Sequence, residues 1–316
     1  MSDIQETIPT AAEAKKEPRR RWRFQYSLRT LMIFVTVVGV LCVWPGMILQ
    51  RVQHQRRVVE QIEALGGIVT YDIVTFDYGM GRYISAPPPG PRIIRQIFGD
   101  DVFVYVVEVS FNQQNKAKDK DLALLRELPH LKRVSLDGPS FSDEGLKYVN
   151  DLKSLERLDL LNTNISGEGV ALLERNKKLD SLSLCGAAVN DSKLTQIDKL
   201  TNLHRLQINQ SSITDDGLIY ISRLSELTDL FLEQNAQITD KGMESIRHLT
   251  NLETLGLCDT SVTSEGLTYF KCLTKLYIIE VGPNITIDDL EKVQSKLPHA
   301  WYEIIKNENS IEYLEL

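Results

Sequence analysis

Histidine, cysteine and long uncharged runs are all scarce in this chain, and each scarcity removes a class of function. The five histidines are His54, His130, His204, His248 and His299. None has a partner at nucleophile–base spacing, so no catalytic pair can be assembled from local sequence. The four cysteines, Cys42, Cys185, Cys258 and Cys272, form no C-x-x-C and no cysteine–histidine zinc spacing. No G-x-x-x-x-G-K-[ST] or post-strand G-x-G-x-x-G run is present, which removes the common phosphate-cradling loops. The expectation is therefore no catalysis, no cofactor and no metal. Charge is also uneven. Residues 1–30 hold seven Lys/Arg against four acids, so the other 286 residues carry 29 basic and 39 acidic side chains, a net of −10. An acidic bulk argues against a nucleic-acid groove.

What the chain does have is periodicity. An opening leucine stands at Leu131, Leu155, Leu179, Leu203, Leu227, Leu252 and Leu276, at intervals of 24, 24, 24, 24, 25 and 24 residues. Aliphatic residues follow each at +3 and +5, from Val134 and Leu136 to Ile279 and Val281. That alternation is the period of a short strand with one buried face. One unit cannot bury the face alone, whereas parallel stacking shares a continuous core. The second half of each unit carries Ser142, Ser166, Asn190, Thr214, Thr239, Thr263 or Thr286. All are good helix N-caps. Asp143, Asp191, Asp215 and Asp240 follow directly, where negative charge suits a helix N-terminus. The recurring Gly145, Gly169, Gly217, Gly242 and Gly266 read as tight-packing positions at the strand-to-helix corner.

The segment LHRLQINQSSITDDGLIYISRL (203–224) resembles a leucine-rich repeat of the kind with a T-D-x-G-L outer segment. The fold class expected is an α/β solenoid: a leucine-rich repeat horseshoe with a parallel concave sheet, short convex helices, an N-terminal cap and one transmembrane helix. Residues 1–30 read as a disordered, basic, cytoplasmic tail. Leu31–Leu49 is a run of 19 residues without a charge, about 28 Å as a helix, and reads as an uncleaved signal anchor. Seven basic residues precede it and only Arg51, Arg56 and Arg57 follow within twenty, a bias that puts the N-terminus in the cytoplasm and the repeats outside. Residues 50–101 read as a juxtamembrane helix and N-terminal cap, with a loop across the proline-rich 78–92. Residues 102–305 are the repeats, with Val104, Val107 and Val109 taken as the first L-x-x-L-x-L beat, and 306–316 a C-terminal tail or cap.

In order, the RRRWRFQYSLRTLMIFVTVVGVL run, RRVVEQIEALGGIVTYD and the PPPGP…FGDDVF lead resemble bacterial membrane-anchored leucine-rich repeat proteins. That resemblance implies location and binding rather than chemistry. The outer pattern also resembles repeats of F-box substrate adaptors, but no F-box-like helical segment precedes the repeats here. Function is expected on the outward strand positions +2, +4 and +6. The candidate ligand-binding residues are Arg133, Arg157, Asp159, Arg205, Gln207, Asn209, Asp229, Phe231 and Glu233, with Phe231 as a candidate aromatic anchor. The expected partner is a protein or cell-envelope ligand, with the membrane held through 31–49. The alternatives are a structural envelope spacer without a discrete ligand and a substrate adaptor of F-box-like repeat type. Cys185 and Cys258 share the +6 column three repeats apart, about 14 Å, too far for a disulfide.

Overall fold

Each opening leucine leads into a strand, and the strands lie side by side. The computed structural model describes residues 27–77, 82–186, 188–294, 301–307 and 310–314. The expectation of a disordered tail therefore falls outside the described residues over 1–26. The chain divides into two units, residues 1–48 and 49–316.

The first described element is helix α1, Leu28–Ala64. Its early side chains Leu31, Met32, Ile33, Phe34 and Val35 are all half or more exposed. Among the described residues no helix is long and apolar enough to cross a membrane, so the expected transmembrane helix is not found there. The side chains of residues 40–42, 44 and 45, inside the uncharged run, lie outside that set. Further along α1, Val52, Val58, Val59 and Ile62 are buried, as their helical spacing requires. The helix stops at Gly66, whose φ of +86° suits a residue without Cβ.

The strands follow in chain order: β1 Gly67–Tyr71, β2 Val74–Asp77, β3 Arg82–Ser85, β4 Val106–Phe111, β5 Arg133–Asp137, β6 Arg157–Leu161, β7 Ser181–Cys185, β8 Arg205–Gln207, β9 Asp229–Phe231, β10 Thr254–Gly256, β11 Ile278–Val281, β12 Trp301–Asn307 and β13 Ser310–Leu314. Eleven of them make one sheet in the order β1-β4-β5 through β13. The run β4 to β12 is parallel, with the repeats in register. The two ends are antiparallel: β1 on β4 and β13 on β12. The remaining strands β2 and β3 pair as a hairpin. The expected loop over 78–92 thus contains a strand, Arg82–Ser85, before its prolines.

The opening leucines and their +3 and +5 partners are all buried, each side chain contributing roughly 1.5–3 kcal/mol by leaving water. The first repeat needs a correction. Register pairs Val109 with Val134 and Phe111 with Leu136, so its beat is Val106, Val109 and Phe111, two residues later than expected. The consecutive valines at 104, 106, 107 and 109 make both frames apolar, and only pairing with β5 selects between them. After the strand the chain turns through a left-handed residue at +7. Gly138 and Gly186 hold it with φ of 120° and 117°, and Asn162, Gln210, Gln234 and Asp259 hold it at 54° to 58°.

Helix α2, Arg92–Phe98, precedes the first repeat; the opposite layer of the repeats is short helices: α3 Asp143–Val149, α4 Gly167–Leu172, α5 Asp191–Leu194, α6 Asp215–Ile221, α7 Asp240–Ile246, α8 Ser264–Leu267 and α9 Ile287–Gln294. In the first repeat the segment Asp119–Glu127 is a 3-10 helix. Ser142, Ser166, Thr214, Thr239 and Thr263 cap through their hydroxyls, and Thr286 accepts from Asp289 N–H. Asn190 does not: α5 has no side-chain cap, and the Asn190 side-chain Oδ1 accepts from the Ser192 hydroxyl instead.

The aspartates do more than complement the helix end. The Asp191 carboxylate accepts the N–H and the hydroxyl of Thr214 one repeat later, both at 2.8 Å. Asp119 holds Ser142, Asp143 holds Ser166, Asp215 holds Thr239 and Asp240 holds Thr263 in the same way. The recurrent glycine is the consequence. A Cβ on Gly217 would overlap the Asp191 carboxylate, and Gly145, Gly169, Gly242 and Gly266 meet the same obstacle.

Candidate ligand-binding face

Side chains at +2 and +4 leave the sheet on the side away from the core, because successive residues of a strand point to opposite faces. Register places them in columns. Glu108, Arg133, Arg157, Ser181, Arg205 and Asp229 are consecutive partners from β4 to β9. Ser135, Asp159, Ser183, Gln207 and Phe231 form the next column. Arg157 and Arg205 are exposed; Arg133, Asp159, Gln207, Asn209, Asp229, Phe231 and Glu233 are half-buried. Seven of the nine residues singled out from the sequence therefore share one face of β5–β9, and Asn209 and Glu233 follow just after the ends of β8 and β9.

They are not nine independent groups. Arg133 donates from Nε and Nη2 to Glu108 Oε2 at 3.0 and 2.9 Å. Arg157 Nε reaches both oxygens of Asp159, its +2 neighbour on the same strand, at 3.1 and 3.0 Å. Arg205 Nη2 lies 3.4 Å from Asp229 Oδ1, and its guanidinium carbon is 5.9 Å from the centre of the Phe231 ring. Thr228 donates its hydroxyl to the other Asp229 oxygen at 2.8 Å. Glu233 N–H donates to Asn209 Oδ1 at 3.2 Å. The face is thus a row of ion pairs that ends at an aromatic ring and a carboxylate.

Two of these carboxyls sit well out of water. Burial raises the pKa of Asp159, the charge of Glu108 raises it further, and Arg157 opposes both. Burial also raises Glu233, against hydrogen bonds from its own backbone and Asn209. Its Oε2 is buried with no hydrogen-bond partner. Gly256 makes this possible: a Cβ there would overlap Glu233 Oε1 and come within 3.0 Å of Phe231 Cδ1.

The sequence missed Glu108, because the first repeat was framed two residues early. In the right frame it falls in the same column as Arg133. It also missed a cavity of about 420 Å³ at the start of the sheet, lined by Ile68, Val69, Thr70, Tyr71, Val74, Glu108 and Ser110. Three of the histidines make polar contacts away from this face: His54 pairs with Glu127 at 2.8 Å, His204 with Asp180 at 2.7 Å, and His248 accepts from Arg247. Among the described residues, Cys185, Cys258 and Cys272 form no disulfide. Among the described residues no group of three or more His, Cys, Asp or Glu is gathered as metal ligands would be.

Residues 199–222 match the family model described as Leucine Rich repeat. That segment carries the β8 beat and the whole of α6, and its geometry recurs in register along the sheet. The fold is a leucine-rich repeat solenoid. Among solved structures, an internalin C2 from Listeria monocytogenes str. 4b F2365 is similar at 18% identity and a TM-score of 0.44, over 60% of this chain and 76% of that one. The likeness is too loose for anything further to rest on it. A search of curated proteins gave no match.

Proposed function

We propose that the chain is a membrane-anchored leucine-rich repeat module that binds a protein or cell-envelope ligand outside the cytoplasm and performs no catalysis. The observation that carries the reading is the outer face of β5–β9. Core packing does not require Arg133, Arg157, Arg205, Phe231 or Glu233 there, yet mixed charge and an aromatic ring are gathered along β5, β6, β8 and β9 and the residues just after β9. Solenoids commonly use such a surface for recognition, and aromatic and arginine side chains are the usual anchors of interfaces. Fold alone does not establish binding; the composition of the face is what favours it over a plain spacer.

The anchor rests on the 19 uncharged residues of Leu31–Leu49 and on the exposure of Leu31, Ile33 and Phe34. Apolar side chains exposed in such a row are costly in water and suited to lipid. The basic excess before the run orients it with the repeats outside.

The test combines two readouts in intact cells. External protease should digest the repeats without lysis. A photo-crosslinking side chain at Gln207, on the face, should give an adduct, and one at Glu244, on helix α7, should not. Repeats protected until lysis would overturn the location; equal labelling from both sites, or none, would overturn the binding face.

A further inference from the structure

The ion pairs on the sheet are layered, and the layering has a sign. The arginine side chains Arg133, Arg157 and Arg205 are 40%, 44% and 48% exposed, whereas their partners Glu108, Asp159 and Asp229 are 27%, 19% and 21% exposed. The carboxylates lie low and the guanidinium groups lie over them. Donors remain on the outside. Arg157 spends only Nε on Asp159 and Arg133 keeps Nη1, with no further hydrogen bond from either among the described residues. The Arg205 contact is long. A ligand approaching this face therefore meets unspent N–H groups of fixed planar guanidinium ions, which favour carboxylate acceptors.

Spacing narrows the ligand. Arg133 and Arg157 are register partners on β5 and β6, and Arg205 stands two strands further, on β8. At about 4.8 Å per strand, Arg133 to Arg205 is roughly 14 Å, which an extended polypeptide covers in about four residues. One strand beyond is Phe231, half-buried, and then the Glu233 Oε2 that lacks a donor. Within about 10 Å the face changes from guanidinium to aromatic to carboxyl. A polymer of one repeating charge cannot match that change: its later anionic groups would meet Asp229 and Glu233. A polypeptide can match it, because its side chains differ from residue to residue.

Resting on the binding reading above, we infer that the face of β5–β9 recognises an extended acidic peptide segment. Its carboxylates engage Arg133, Arg157 and Arg205, and an apolar residue next to them packs on Phe231. Asp159 supports the layering: burial outweighs the opposing pull of Arg157, so Arg157 offsets only part of the cost, and a ligand has to add acceptors to Arg157 and not draw it off Asp159.

The experiment uses the full chain in nonionic detergent and fluorescence anisotropy. The probe is a labelled oligoglutamate peptide ending in leucine. Oligolysine ending in leucine, polygalacturonate and single-stranded DNA are run beside it. The inference expects saturable binding of the oligoglutamate probe alone, weakened about tenfold or more by Arg157→Gln with Arg205→Gln. Arg157→Lys, which keeps the charge and loses the fork, should weaken it by less. Lys147→Gln with Arg247→Gln, the same charge change on α3 and just after α7, should leave it within about twofold. Equal losses in the two double variants, or stronger binding of polygalacturonate, DNA or oligolysine, overturns the inference. The crosslink at Gln207 separates the two levels. If it forms and the arginine variants leave it unchanged, the acidic-peptide reading falls and the binding face stands. If it does not form, the face itself falls.

Discussion

At the scale of single residues, the glycine of each outer segment and the aspartate of the preceding repeat explain each other. Asp191 spans to Thr214, and Gly217 is glycine because a side chain there would occupy the space of that carboxylate. Gly217→Ala should therefore cost about 1–3 kcal/mol, the range for displacing a partly buried charged hydrogen bond. The check is a double-mutant cycle in urea unfolding. The cost of Gly217→Ala should shrink in the Asp191→Ala background, and an unchanged cost would place the clash elsewhere. The periodicity of glycine and aspartate was legible in the sequence, but their mutual dependence was not, since it runs between repeats and not along one helix. Glu233 gives a second residue-level prediction. Its folded pKa is raised above the usual 4.5 by burial, so the native state holds the proton more tightly than the unfolded chain. That contribution to stability is complete below the unfolded pKa and is lost as pH rises through the folded value. Glu233→Gln does not titrate, so its stability relative to the wild type should rise from pH 4 to pH 7. A difference that is flat across this range would mean that burial does not set the ionisation of Glu233.

At the scale of elements, strands were easier to read than helices. The L-x-x-L-x-L beat has a period of two and one buried face, so β5 to β11 follow from the sequence alone. The first repeat did not follow, because Val104, Val106, Val107 and Val109 satisfy two frames and only pairing to β5 decides. That slip removed Glu108 from the candidate face. The helix caps show the complementary limit. Residue type identified six of seven caps, but Asn190 has the right chemistry and turns to Ser192. It also lacks an aspartate one repeat back: Gly167 stands where Asp143 and Asp191 stand in neighbouring repeats. The two sites should therefore respond differently to the same change. Thr214→Ala removes both a cap and the partner of Asp191 and should cost about 1–2 kcal/mol. Asn190→Ala should change stability by less than about 0.5 kcal/mol. Thermal unfolding of the two variants side by side decides this, and equal losses would contradict the assignment of Asn190.

At the scale of the whole molecule, a solenoid is stabilised by contacts between neighbours, and its ends are the problem. The first parallel strand, β4, would present an open edge and an open end of the core. The chain closes both with what precedes the repeats. Strand β1 pairs antiparallel to β4, and Val58, Val59 and Ile62 of α1 join the core beside Phe111. Gly67 carries no Cβ where Ile62 and Phe111 close in, at 2.5 and 2.7 Å from the position it would take. A cap over 50–101 is expected because the open end of a solenoid needs a cover, but the antiparallel pairing of β1 could not be read from residues 67–71, which look the same in either direction. Because repeats contact mainly their neighbours, damage at this cap should travel only part of the way along the stack. Ile62→Asp places a carboxylate in a fully buried site, at a cost of several kcal/mol. Amide hydrogen exchange should then accelerate by about tenfold or more in β4 to β6, while β9 to β11 keep their protection within about threefold. If protection falls equally from β4 to β11, the repeats unfold as one cooperative block, and the cap stabilises the far strands as strongly as the near ones.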